Sequence, residues 1–333
     1  MNISTCCKSV LVVTAAGLAL AGNSAAADEL KLGHFMSPRH IMQQEMMAPW
    51  AAEIGRLTGN QLTVRIFPAS QLGGKPPTQY KLAVDGIADI AFGLPGFTSS
   101  QFPRTTLVEL PGFAGTGVEA TKKIWDVFDR ELAGEYRGVK VLALWTNDTA
   151  AYMSKSKPIR RYEDLKGLRV RVPSTLQGKL VEHFGGQVVN MPPTEIYNAL
   201  DRGVIDAIMI PMSAVIDFKL FEIAKYYTVG APVSRSPFFL VMNRKKYESL
   251  PPEQKAVIDK TSGRSLSLRA AASYDKRGED ATARVRKIAG TEIIQLSADE
   301  ISRWQANIQP FVEAQIAADE KKGIPARAIF AGK

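Results

Sequence analysis

From Leu30 onward, two kinds of segment alternate along this chain: short aliphatic or β-branched runs, and longer stretches with apolar residues at helical spacing bounded by Gly, Pro or Asp. The spacing predicts strands over Leu30–His34, Leu62–Phe67, Ile90–Leu94, Val139–Trp145, Leu168–Val172, Gln187–Asn190, Ala207–Ile210 and Phe239–Asn243. It predicts helices over Ile41–Thr58, Thr78–Asp85, Val118–Leu132, Thr175–Phe184, Thr194–Arg202, Pro252–Arg277 and Ala298–Lys322. Such alternation folds as α/β with largely parallel sheets. The length, about 300 residues after Asp28, exceeds one ordinary domain of roughly 150, so two lobes are expected. No flexible linker separates them, and the chain should therefore pass between lobes more than once. Asn147–Ser154 and Arg235–Phe238 are the expected crossings, since each follows a strand-like run and contains residues that readily end one.

The first 27 residues read as an export signal: Lys8 supplies a positive charge, Val10–Ala21 an apolar run, and Ala25-Ala26-Ala27 a small-residue cleavage site. The apolar run is about half the roughly 20 residues that span a bilayer, so the expectation is a cleaved leader and a periplasmic protein beginning near Asp28. Cys6 and Cys7 both fall in the leader, which leaves no thiol for a disulfide or a thiolate metal site. The formal net charge is +9, and Lys8 is the only charged residue of the leader, so +8 remains. These cations are scattered without a long basic run, which argues for a solvated surface and against nucleic acid. An anionic ligand is mildly favoured by the field, within the roughly 10 Å that salt allows.

The sequence offers little for catalysis. Only His34, His40 and His183 could serve a Ser-His-Asp set, and none stands near a G-x-S-x-G pattern. The Gly112–Gly117 stretch, GFAGTG, lacks both the Lys-Ser/Thr of a P-loop and the spacing of a dinucleotide fingerprint, and reads as a loop feeding the helix at Val118. No helical H-x-x-x-H pair exists to hold a metal. The expectation is no enzyme, no cofactor and no metal.

The informative stretch runs from Tyr162 to Pro211, where YEDLKGLRVRVP is followed by GGQVVNMPPTEIYNALDRGVIDAIMIP. Arg169 and Arg171 alternate in a short strand ending at Pro173, so both guanidinium groups share a face. An Arg at the carboxyl end of such a strand suits a carboxylate, because its planar fork donates two parallel hydrogen bonds. The same stretch resembles the solute-binding subunits of TRAP transporters, the DctP-like family, on Asp164, Leu165, Lys166, Gly167, Arg171 and Pro173, then on Glu195, Tyr197, Ala199, Leu200, Gly203, Asp206 and Pro211. The likeness extends upstream to Thr58-Gly59, Phe67–Gly74, Asp85–Ile90 and Leu110-Pro111.

The resemblance implies a periplasmic-binding-protein fold, α/β, with two lobes around a ligand cleft and a long helix spanning both. The lobes would be 28–148 with 237–276, and 149–236 with 277–333. It implies that Arg171 clamps a small organic acid, while Arg169 stays in a surface ion pair. The partners implied are the small and large TRAP membrane permease subunits, served by a monomer in transport driven by an ion gradient. This chain departs from the family's pattern by placing apolar residues where polar ones are usual: Ile210 for an Asn, Ala151 for a basic residue and Leu94 for an acidic one. With Phe35, Trp145, Tyr152, Met209 and Phe238 as further expected cleft residues, the ligand predicted is an aromatic or otherwise apolar monocarboxylate. A C4-dicarboxylate, or a sensor presenting the acid to a membrane receptor kinase, are the alternatives.

Overall fold

A computed structural model describes Met1 and residues 28–333; residues 2–27, and with them the predicted export signal, lie outside the described residues. The first sheet contains β1 (Asp28–Gly33), β2 (Leu62–Phe67), β3 (Ile90–Gly93), β4 (Val139–Thr146) and β10 (Pro237–Asn243), in the order β2-β1-β3-β10-β4. The second contains β5 (Ala150–Ser154), β6 (Arg169–Val172), β7 (Gln187–Asn190), β8 (Ala207–Pro211), β9 (Tyr226–Val229) and β11 (Glu292–Gln295), in the order β11-β9-β5-β8-β6-β7. Each sheet with its helices is one lobe of an α/β molecule.

The sheets are more mixed than the sequence predicts. β10 runs antiparallel to β3 and β4, and β5 runs antiparallel to β8 and β9, whereas the other neighbours are parallel. The reason is connectivity. β5 and β10 are the strands entered straight from the opposite lobe, so no helical crossover returns the chain to its starting edge. Both strands are buried along their whole length, and their sequences, AAYMS and PFFLVMN, accordingly carry no polar alternation.

The crossings are held to each other. Asn147 N–H donates to Ser236 O at 3.3 Å, Ser236 N–H to Asn147 Oδ1 at 2.9 Å, and Ala150 N–H to Ser234 O at 2.9 Å. The first crossing spans only 147–149, because the expected crossing residues 150–154 are β5. The predicted helix Pro252–Arg277 is two helices, Pro252–Thr261 and Arg264–Val285, parted at Gly263 with φ +75° and ψ −144°. The second of these spans both lobes: Leu266, Ala270, Ala271 and Tyr274 pack in the core of the first, Ala281 and Val285 in that of the second. The GFAGTG stretch is a helix entry, as expected. Thr116 Oγ1 accepts from Glu119 N–H at 3.1 Å, Glu119 Oε2 accepts from Thr116 N–H at 3.2 Å, and Asp275 of the long helix accepts from the N–H of Gly117 at 2.9 Å. The terminal helix Ala326–Ala331 returns to the first lobe, where Phe330 lies edge-on to Phe113 at 6.0 Å.

Candidate ligand-binding site

A cavity of about 50 Å³ lies between the sheets. Its walls come from segments that follow or end strands: Phe35 after β1, Leu94 after β3, Arg171 in β6, Ile210 in β8 and Asn147 after β4. Open α/β sheets hold ligands at such strand ends because diverging loops leave a crevice there. At a minimum of roughly 10–15 Å³ for one water, the space is room for a few waters or a small molecule in their place.

Arg171 is 2% exposed, one of the largest fully buried side chains in the molecule. Its strand sits between β7 and β8, with Val189 and Ile208 as register partners, so the guanidinium is covered from both sides. Nε donates to Met191 O at 2.9 Å. Among the described residues no acid pairs with it, and burial alone pulls its pKa down to about 9. Among the described residues nothing bonds Nη1 or Nη2, so the two parallel donors are left for a carboxylate entering the cavity. Arg169, two residues earlier, is half-exposed and doubly paired with Asp206, Nη2 to Oδ1 at 2.8 Å and Nε to Oδ2 at 3.0 Å.

Behind Arg171 the chain turns at Pro173 into the helix Thr175–His183, capped by Ser174, whose Oγ accepts from Gln177 N–H at 3.2 Å. The same hydroxyl donates to Glu109 of the first lobe. Glu109 is 1% exposed, its Oε1 has no partner, and burial pushes its pKa up to about 8, so at neutral pH it is a carboxylic acid. Gln177 Nε2 donates to Ser236 Oγ at 3.0 Å, tying this helix to the second crossing. Arg235, in that crossing, donates through Nη2 to Ala114 O at 2.5 Å and Thr149 Oγ1 at 3.0 Å, while its Nη1 is buried without a partner among the described residues.

At the opposite wall His40 and Tyr274 meet edge to face, their rings 6.4 Å apart. Burial pushes the His40 imidazole down to about 3, so the ring is neutral. Nδ1 accepts from Met42 N–H at 3.2 Å, which leaves the proton on Nε2. Asp217 of the second lobe accepts from Ile41 N–H at 3.4 Å and from Arg277 Nη2 at 3.1 Å, joining the lobes beside this wall.

Of the residues expected in the cleft, Phe35, Leu94, Arg171, Met209, Ile210 and Phe238 line the cavity, and Trp145 and Tyr152 do not. Both are corrections with one cause: they lie within strands whose faces are covered. Trp145 stacks on Phe238 at 5.7 Å and packs on Phe92, and Tyr152 packs on Trp304 at 5.8 Å. Ala150, at the start of β5, faces the cavity, while Ala151 packs in the core of the second lobe. His40, Asn147, Gln177, Arg235 and Tyr274 are cavity residues that the sequence did not single out. Only Arg235 carried a signal, as the lone charge in an expected crossing.

A two-lobed molecule shut over a small cavity into which a buried guanidinium with no acid partner among the described residues is turned defines a solute-binding protein for an anionic small molecule. The chain belongs to the bacterial extracellular solute-binding proteins of family 7, DctP, whose model matches residues 32–319. A TRAP solute-binding protein from Rhodoferax ferrireducens T118, solved with copurified benzoate, superposes with TM-score 0.86 at 28% identity, covering 91% of this chain and 95% of its own. A marine metagenome TRAP solute-binding protein specific for aromatic acid ligands, solved with 3-hydroxybenzoate, gives TM-score 0.87 at 28% identity, covering 92% of this chain and 96% of its own. The 2,3-diketo-L-gulonate-binding periplasmic protein YiaO of Escherichia coli K12 is 28% identical over 297 residues, covering 84% of this chain and 85% of that protein. These are transport proteins rather than enzymes, they bind small organic acids, and they work with membrane permease subunits. The family is periplasmic, and among the described residues no helix is long and apolar enough to cross a membrane.

Proposed function

We propose that this chain captures an aromatic or otherwise apolar monocarboxylate on Arg171, closes over it, and presents it as a monomer to the small and large TRAP permease subunits. The observation that carries this reading is the buried Arg171 guanidinium, open to the cavity and without an acid to neutralise it. Desolvating a cation is costly unless an anion arrives to compensate, so the site favours a carboxylate. Around it stand Phe35, Leu94, Met209, Ile210 and Phe238, which offer a ring or alkyl body apolar contact and no hydrogen bonds. A polyhydroxylated acid would leave buried hydroxyls unpaired at roughly 1–3 kcal/mol each. The benzoate and 3-hydroxybenzoate bound by the two solved relatives agree in chemistry with such walls. YiaO, of similar identity, is named for a sugar-derived acid, and is the reason to test that class directly.

Closure follows from the ligand touching both lobes, taken as 28–148 with 237–276 and 149–236 with 277–333 except the terminal helix Ala326–Ala331, which packs on the first lobe. Titration calorimetry with benzoate, succinate and a sialic acid separates the ligand classes. Tightest binding of benzoate is expected, and tightest binding of the sugar acid would overturn the reading. Genes for permease subunits beside this one would support uptake, and a lone receptor-kinase gene would support sensing.

A further inference from the structure

A second polar pair at the cavity is left over once the carboxylate is placed on Arg171. Tyr274 is 4% exposed and lines the cavity, yet among the described residues no group bonds its hydroxyl. Buried phenols ordinarily find a partner, as Tyr136 does on Thr105 at 3.2 Å and Tyr227 does on Ala224 O at 3.0 Å; the Tyr152 hydroxyl, which also lacks one, is shut in the core and does not face the cavity, whereas Tyr274 does. His40 beside it has the same deficit. Its Nε2–H has as its nearest acid Asp217 Oδ2 at 3.7 Å, beyond hydrogen-bond range, and His40 too lines the cavity. Three charged groups surround this corner: Asp217 pairs with Arg277 at 3.1 Å and takes the N–H of Ile41, while Asp148 takes the N–H of Ser213 on Oδ2, and its Oδ1, like Arg277 Nε, has no partner among the described residues.

The two groups stand on the wall opposite Arg171. His40 comes from the segment after β1, Tyr274 packs with Phe238 of β10 at 5.3 Å, and Arg171 belongs to β6 of the other sheet. We infer that Tyr274 Oη and His40 Nε2–H recognise a second oxygen on the ligand, a ring hydroxyl remote from the carboxylate, so that the ligand class is hydroxylated aromatic acids and not unsubstituted ones. This rests on the reading that Arg171 takes the carboxylate of an aryl acid. A ligand with both oxygens makes polar contacts to both lobes, and only contacts to both favour the closed form over the open one. A benzoate lacking the hydroxyl leaves the pair to a trapped water or to nothing.

The test compares benzoate, its three monohydroxy isomers and 3-methylbenzoate by titration calorimetry on the mature protein and on Tyr274→Phe. At least one hydroxybenzoate is expected to bind about tenfold tighter than benzoate and than the methyl isostere, in line with one well-made buried hydrogen bond. In Tyr274→Phe the ratio of the two affinities is expected to fall to about one to threefold by the same measure. Equal affinity of the unmodified protein for benzoate and every hydroxybenzoate, with Arg171→Ala still abolishing binding, would overturn this inference and leave the aryl-acid reading standing. Binding of no aryl acid at all would remove both. A hydroxyl preference that survives intact in Tyr274→Phe and in His40→Phe would assign the second oxygen to another group and overturn the assignment.

Discussion

Arg171 is costly to bury without an acid, and that cost sets how much it matters. Its pKa has been drawn down to about 9, so it keeps its charge near neutral pH while lacking the solvation that would make the charge comfortable. Losing one partner of a buried charged pair costs roughly 2–5 kcal/mol. At about 1.4 kcal/mol per tenfold, Arg171→Ala should weaken ligand affinity by about thirty- to several-thousand-fold. Arg171→Lys should fall between, because a point charge replaces the bidentate fork. Calorimetry with benzoate reads both, and an unchanged dissociation constant for the Ala variant would remove Arg171 from the site. Glu109 makes a separate prediction at this scale. Its folded pKa of about 8 stands above its ordinary 4.5, so the folded state holds a proton that the unfolded state releases. Its contribution to stability is full below pH 4.5 and is lost as pH rises towards 8. Asp148, pushed up to about 7, shares that sign. His34 and His40, pushed down from 6.5 to about 4 and about 3, have the opposite one: their contribution is present above 6.5 and lost as pH falls. Urea unfolding of the unmodified protein and Glu109→Gln across pH 4.5 to 8 therefore isolates one slope, and the Gln variant should lose stability less steeply as pH rises. Parallel curves would mean that Glu109 ionises in place.

At the scale of elements, what could be read from the sequence was whatever has its cause nearby in the chain. Strands such as Leu62–Phe67 and Gln187–Asn190 are β-branched runs with turn residues at their ends, and they fold where the pattern puts them. Arg171 was legible for the same reason, since alternation and the closing Pro173 fix its face and depth. β5, β9 and β11 were not, because AAYMS, YYTV and EIIQ become strands by pairing with partners far along the chain. Trp145 and Tyr152 lie outside the cavity for a like reason: Phe238 and Trp304, which cover them, come from remote segments. The break before the long helix is a local feature that the helical spacing concealed. Gly263 holds φ +75° and ψ −144°, a region essentially closed to L side chains. A Cβ there would meet nothing nearer than Trp125 at 4.0 Å, so Gly263→Ala tests backbone strain alone. A loss of about 2 kcal/mol in unfolding free energy is expected, and an unchanged denaturation midpoint would show that the junction relaxes at no cost.

For the whole molecule the question is which contacts exist only when the lobes are shut. Gly96 of the first lobe lies directly against Ser174 of the second. A Cβ at position 96 would come within 2.9 Å of Ser174 Cβ and 2.6 Å of Glu109 Oε1. The Glu109 oxygen ends a flexible side chain and can yield, but Ser174 Cβ is fixed by the helix it caps, which in turn follows the strand of Arg171. Adding a methyl group at Gly96 therefore overpacks the interface between lobes, and within the first lobe it presses only on the end of the Glu109 side chain. Overpacking of this kind costs roughly 1–3 kcal/mol. In a molecule that opens and closes, that cost falls on the closed form alone, and since the ligand binds tightly only there, it appears as lost affinity. Gly96→Ala is thus expected to weaken ligand binding by about five- to hundredfold, chiefly through faster dissociation, while leaving the thermal midpoint of the unliganded protein within a degree or two, roughly the shift of a few tenths of a kcal/mol. Calorimetry, stopped-flow release and a melting curve of the free protein read the three quantities. If the unliganded protein loses stability in proportion to the lost affinity, then Gly96 and Ser174 stay in contact whether or not ligand is bound, and closure does not pass through this interface.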